Sequence, residues 1–192
     1  VSSLDLRGKY FPLTLREKAL RCLPFHILFR RRIHLPNTKP GTIHMDGRKT
    51  ELLKKIGEQA VQQFWQEAFG GKSYGSQHLY RVNRIARYLW EREGGDEFLI
   101  LATAWVHDVF LAKGDDSDSA KVAAFTMGFL REFDALSEDE IRMIARCAGA
   151  HEAGGEDLTL EARIVHDADV LDKSGMLGVV RHIWKMTHML KR

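Results

Sequence analysis

The 192-residue sequence predicts an all-α fold, a helical bundle whose central helices enclose one polar site. Three observations predict it. From Gln77 to Arg92 the apolar residues Leu79, Val82, Ile85, Ala86, Leu89 and Trp90 recur at steps of three and four, which puts them on one face of a helix. From Phe98 to Val106 the chain is almost continuously apolar, as in a helix buried on most sides. From Leu160 to Gly175 a stripe of Ile164, Ala168 and Leu171 runs beside Val165, Asp169 and Asp172.

In chain order, His78 falls in the first turn of the Gln77–Arg92 helix, and the pair His107-Asp108 ends the apolar helix that follows. A loop reading Gly-Asp-Asp-Ser-Asp-Ser from Gly114 then leads into a helix over Ala120–Phe133, with Asp118 placed to act as its N-cap. Ser137 with Glu140 three residues on is a capping box, and the stripe Ile141, Ile144, Ala145 and Ala148 marks the helix it opens. His151 follows that stripe.

Composition is that of a compact enzyme. At 44% hydrophobic residues the chain can bury one sizeable core. Charge divides it unevenly: residues 1–50 hold 11 basic against 3 acidic side chains, and residues 51–192 hold 18 against 23. The expected organisation is a basic extension over 1–50 and one catalytic domain over 51–192. All four prolines, Pro12, Pro24, Pro36 and Pro40, lie in the extension, favouring short helices and extended pieces over a second core. Arg30-Arg31-Arg32 with Phe25, Phe29 and His34 form a candidate weak nucleic-acid or anionic-lipid patch, or else a solvated arm. Cys22 and Cys147 are too few for a disulfide framework, no stretch is long and apolar enough to span a bilayer, and no secretory signal is legible, so a cytoplasmic protein is expected.

His78, the adjacent pair His107-Asp108, and Asp169 carry side chains of metal-ligand type, each of the three set in its own helical segment. Two imidazoles and two carboxylates suit one divalent ion of intermediate hardness, Mn, Fe, Co, Ni, Zn or Mg, better than a thiolate site would. A water made acidic by such an ion is a nucleophile near neutral pH, which points to a hydrolase. Consecutive helical side chains diverge by about 100°, so His107 and Asp108 can share one ion only at a helix end. A buried carboxylate there also needs a partner.

The segments Ser76-Gln-His-Leu-Tyr-Arg-Val-Asn-Arg-Ile-Ala, Leu101-Ala-Thr-Ala-Trp-Val-His-Asp-Val and Leu160-Glu-Ala-Arg-Ile-Val-His-Asp-Ala-Asp-Val-Leu-Asp-Lys-Ser-Gly resemble the HD superfamily of metal-dependent phosphohydrolases. That pattern is a His, a His-Asp pair and a distant Asp, and the resemblance runs from Glu51 to Arg192. It implies an HD-domain bundle with the metal site between central helices, and it gives the last ligand role to Asp169 rather than Asp167. Asp167 and Asp172 are secondary candidates, either orienting a ligand imidazole or pairing with Arg163 or Lys173. His166 is read as a non-ligand.

His151 has two readings, a catalytic or phosphate-binding group near the leaving oxygen, or a helix cap. Arg81 and Lys113 are the cationic candidates for substrate phosphates. Signalling-nucleotide hydrolases and monophosphate nucleotidases of the superfamily keep acids soon after the His-Asp pair, where this chain has Val109, Phe110, Leu111 and Ala112. The next acids, Asp115, Asp116 and Asp118, lie in the following loop; an acid near Asp118 is the other candidate for leaving-group assistance. Dinuclear members carry extra histidines between the His-Asp pair and the last Asp; this chain has His151 there besides His166, which is read as a non-ligand, and this favours one ion.

The expected function is hydrolysis of a small phosphate ester or phosphoanhydride, a nucleotide in the first place, with Asp108 and His151 as catalytic residues. Two readings from other classes stay open: an RNA-directed or regulatory module with a structural metal, and a di-iron oxygenase of the HD type.

Overall fold

The computed structural model describes residues 3–4, 10–11, 45–67, 75–113, 117–152 and 158–189. The chain divides into two compact units, Val1–Thr38 and Lys39–Arg192. In the first, strands β1 (Ser3–Leu4) and β2 (Tyr10–Phe11) pair antiparallel, Ser3 opposite Phe11 and Leu4 opposite Tyr10. Residues 25–34, on which the nucleic-acid patch was read, lie outside the described residues, as do Cys22, Asp115 and Asp116.

The second unit is helical: α1 (Gly47–Glu67), α2 (Gly75–Glu93), α3 (Glu97–Val106), a 3-10 turn (Val109–Ala112), α4 (Ser119–Leu130), α5 (Glu138–Ala150), α6 (Leu160–Asp172) and α7 (Gly175–Met189). It is the expected all-α helical bundle. Its first described helix starts at Gly47, ahead of the boundary at residue 50 drawn from charge.

α3 is the hub, packing against α1, α2, α5 and α6. Its sequence explains why: Phe98, Leu99, Ile100, Leu101, Ala102, Ala104 and Val106 are all buried, so no face is left for water. Asp96 starts it, accepting a hydrogen bond from the Leu99 amide at 3.0 Å. Buried Glu97 is paired on both oxygens, with Arg87 Nη1 at 2.7 Å and the Met45 amide at 3.1 Å. Around this hub Ile56, Leu79, Ile100, Leu101, Leu130, Ile144 and Ile164 are fully buried, each contributing roughly 1.5–3 kcal/mol of transfer free energy. α1 approaches closely because Gly57 has no Cβ; one built there would lie 2.8 Å from the Trp105 ring.

Local chemistry sets the other helix ends. Both halves of the Ser137–Glu140 capping box form at α5, and Thr159 accepts from the Ala162 amide at α6. Two boundaries differ from expectation. α4 runs Ser119–Leu130 rather than Ala120–Phe133, because Arg131 caps it with bonds from its amide to Met127 and Phe129 carbonyls. α6 stops at Asp172 rather than continuing to Gly175, whose φ of +69° breaks the helix and opens α7. Among the described residues no helix is long and apolar enough to cross a membrane.

Candidate metal centre

The site is made by the break at the end of α3. His107 keeps helical dihedrals, φ −58° and ψ −35°, whereas Asp108 lies at φ −101° and ψ 4°, off the helical path. That departure brings Asp108 Oδ1 to 3.7 Å from His107 Nε2, although the two residues are adjacent. His78, from the first turn of α2, and Asp169, from the last turn of α6, complete the group. His78 Nε2 lies 3.3 Å from His107 Nε2, 3.3 Å from Asp108 Oδ2 and 3.1 Å from Asp169 Oδ1. His107 Nε2 is 3.9 Å from Asp169 Oδ1. All four side chains are buried.

The imidazoles are oriented by the nitrogen facing away from the cluster. His78 Nδ1 donates to Asp172 Oδ2 at 2.7 Å, His107 Nδ1 to the Ala104 carbonyl at 2.9 Å, and His151 Nδ1 to the Ala148 carbonyl at 2.6 Å. With Nδ1 donating away from the cluster, each ring turns Nε2 toward two carboxylates. Lone pairs that converge in a buried space repel unless a cation lies among them. Buried His151 Nε2 has no hydrogen-bond partner, as expected of an atom held ready for an ion or substrate. Ligands about 2.0–2.2 Å from an ion sit roughly 3.0–3.5 Å from each other, and the three shortest separations above fall in that range. His78, His107 and Asp169 therefore form a group able to hold a metal ion, with Asp108 Oδ2 3.3 Å from His78 Nε2 beside it.

Electrostatics agree. Burial opposes charge on His78, but hydrogen bonds with Asp108, Asp169 and Asp172 outweigh it and push its pKa from 6.5 up to about 10. In the metal-free protein a proton on His78 thus takes the cation's place. Burial holds His107 below its ordinary value despite Asp108 and Asp169. Asp108 and Asp169 are held below the usual carboxylate range: burial acts the other way and is overcome, at Asp108 by the His107 and His78 charges, at Asp169 by the His78 hydrogen bond and the His107 charge.

The surrounding residues divide clearly. Asp172, buried behind His78, also takes Arg81 Nε at 2.6 Å on Oδ1, with Arg81 Nη2 at 3.1 Å and Arg181 Nη1 at 2.7 Å on Oδ2. Its partners are therefore His78, Arg81 and Arg181, not Arg163 or Lys173. Burial raises its pKa, yet the His78 and Arg81 hydrogen bonds hold it down at about 2. Asp167, two residues before Asp169 and so about 200° away on α6, is not part of the cluster. His166 bonds through Nδ1 to the His151 carbonyl at 2.5 Å. His151 is the C-cap residue of α5 and places Nε2 3.6 Å from Asp108 Oδ1. Asp118 caps α4 through the Lys121 amide and pairs with Lys121 Nζ at 3.0 Å, and Lys113 is exposed after the 3-10 turn.

Sequence reasoning missed Arg181 and Glu152, and it saw Lys173 only as a partner for the wrong acid. Lys173 Nζ lies 2.5 Å from Asp169 Oδ2 and 2.8 Å from Glu152 Oε1. Nothing in the spacing of Arg181 points to it. Glu152 was legible as the neighbour of His151. A cavity of about 360 Å³ opens beside these groups, lined by Lys173, Gly178, Val179, Arg181, His182 and Ile183.

Residues 75–174 match the family model described as HD domain. The uncharacterized protein YpgQ of Bacillus subtilis (strain 168) is 32% identical over 111 residues, 54% of this chain and 53% of its own length. The chain thus spans about half the length of that curated relative. Among solved structures, a protein of Lactobacillus plantarum matches with TM-score 0.61 and 30% identity over 76% of this chain and 66% of its own. The Lin1889 protein of Listeria innocua matches with TM-score 0.54, 23% identity and coverages of 75% and 67%. The crystal structure of Bacillus subtilis YpgQ in complex with ADP matches with TM-score 0.53, 21% identity and coverages of 72% and 68%.

Proposed function

The chain belongs to the HD-domain family of metal-dependent phosphohydrolases, and from that premise we propose that it hydrolyses a small phosphate ester or phosphoanhydride, with a nucleotide as the first substrate class to test. One divalent ion would be held by His78, His107, Asp108 and Asp169. The observation carrying this reading is the convergence of two imidazole Nε2 atoms and two carboxylates within 3.1–3.9 Å, each ring oriented by a hydrogen bond on its far side. An ion bound there would supply a Lewis acid for the phosphoryl group and lower the pKa of a water.

The chain's own residues supply the rest. Asp172, kept ionised by His78 and Arg81, fixes His78 so that its Nε2 faces inward. His151 offers Nε2 to the site; with Nδ1–H held by the Ala148 carbonyl, Nε2 must first take up a proton, which it then gives to the leaving oxygen. Lys173 and Arg181 border a cavity of about 360 Å³, within the range of small-molecule sites, while their charges are paired with Asp169, Glu152 and Asp172. Arg81 spends two hydrogen bonds on Asp172, so its part is to hold that carboxylate; Lys113 remains a proposed phosphate contact. The ADP bound by Bacillus subtilis YpgQ, which shares the fold, is the reason to begin with nucleotides.

Metal analysis of protein purified without chelator, followed by a screen of phosphorylated metabolites, tests the proposal. One equivalent of divalent metal and release of phosphate or pyrophosphate from a nucleotide is the expected outcome. Asp108→Ala should lose metal and turnover together while remaining helical, since Asp108 lies at a helix end outside the apolar stripes. A variant that kept a full equivalent would overturn the ligand set.

A further inference from the structure

We propose that the Lys173 ammonium is a built-in cation filling a second cation position, formed by His151, Glu152 and Asp169, and that it thereby limits the site to one metal ion. The inference rests on the one-ion reading above and goes beyond it.

Two donor groups share Asp169. One is His78, His107 and Asp169; the other is His151, Glu152 and Asp169, with one ligand atom from each within 4.8 Å of the others. A carboxylate common to both is placed to bridge two cations, one on each oxygen. Asp169 Oδ1 faces His78 and His107, while Oδ2 takes Lys173 Nζ at 2.5 Å. The same ammonium reaches Glu152 Oε1 at 2.8 Å. Lys173 thus satisfies the two acidic donors of the second group, leaving its third, His151 Nε2, buried and without a hydrogen-bond partner.

The backbone keeps the lysine there. Lys173 is the C-cap residue of α6, and α7 folds directly over it: a Cβ built on Gly178 would lie 1.8 Å from the Lys173 carbonyl oxygen. Its Cα is therefore pinned one helical turn beyond Asp169, the spacing at which side chains of one helix meet. A tethered ammonium competes with free metal at an effective concentration on the order of millimolar. A single positive charge at this position balances Glu152 and Asp169 without placing a second divalent charge beside the first.

Mn²⁺ stoichiometry of the full chain decides the matter, read by elemental analysis and by electron paramagnetic resonance, with circular dichroism to confirm folding. At Mn²⁺ saturating the first site, the wild type should hold one ion per chain with an uncoupled spectrum. Lys173→Met, which keeps the apolar stem and removes the charge, should hold two and show an exchange-coupled pair; Lys173→Gln serves the same test should the methionine variant fold poorly. Lys173→Arg, keeping the charge, should stay at one, and Lys173→Met with His151→Gln should return to one. A wild type binding two ions, or a folded Lys173→Met binding one, overturns the proposal while leaving the ligand set of the first ion standing. A double variant that still binds two overturns the assignment of the second position. No Mn²⁺ in any variant removes the metal reading itself, and this inference with it.

Discussion

Asp172 Oδ2 lies 2.7 Å from Nδ1 of His78, joining the end of α6 to the start of α2 across 94 residues of sequence. This contact decides which nitrogen of His78 faces the metal centre. It is reinforced from two further helical positions, Arg81 on α2 and Arg181 on α7. Arg181 Nη1 also approaches His78 Nδ1 to 3.0 Å; with both atoms carrying protons, they share Asp172 Oδ2 rather than bond to each other.

Asp172→Ala is accordingly expected to weaken Mn²⁺ binding about 10–100-fold, the usual cost of removing a carboxylate that orients a ligand histidine. Direct titration of Mn²⁺ into metal-free protein measures it. Unchanged affinity would show that the packing around His78 orients the ring unaided.

Asp167 and Asp169 offer a paired comparison, because they belong to one Asp-Ala-Asp phrase and only Asp169 reaches the cluster. Asp169→Asn should abolish turnover and metal retention, and Asp167→Asn should leave both near wild type. The reverse pattern would mean that the last ligand has been placed two residues too late.

His151→Gln is expected to slow turnover by about 10²–10⁴, the range typical of general acid–base groups, with metal content unchanged. Steady-state rates and metal analysis on the same preparation separate the possibilities. A wild-type rate would reduce His151 to its capping role, and loss of the ion would make it a ligand.

The raised pKa of His78 gives the metal-free protein a distinctive pH response. A group whose folded pKa of about 10 exceeds its ordinary 6.5 contributes stability that is fully present below pH 6.5 and lost as pH rises toward 10. The Tm of metal-free protein should therefore fall across that window, and His78→Gln should flatten the fall. Because an ion must displace the His78 proton, Mn²⁺ binding at neutral pH should release a proton and tighten as pH rises. Calorimetric titration in buffers of different ionisation enthalpy reads the released proton; its absence would contradict the proposal that proton and ion compete for one place.

What the sequence determined by itself was local. The three- and four-residue spacing of Leu79, Val82, Ile85 and Ala86, the apolar run from Phe98 and the Ser137–Glu140 capping box each specify an element through contacts within a turn or two. For the same reason the order His78, His107-Asp108, Asp169 and the resemblance it carries were legible, as was the requirement that a helix end at the His-Asp pair. Tertiary structure decided the rest. That Asp172 belongs to His78, Arg81 and Arg181, and that Lys173 reaches Glu152 as well as Asp169, depend on how α2, α5, α6 and α7 meet. Side chains from separate helices find one another through packing and the chain reversal at Gly175, and helical periodicity carries no record of either.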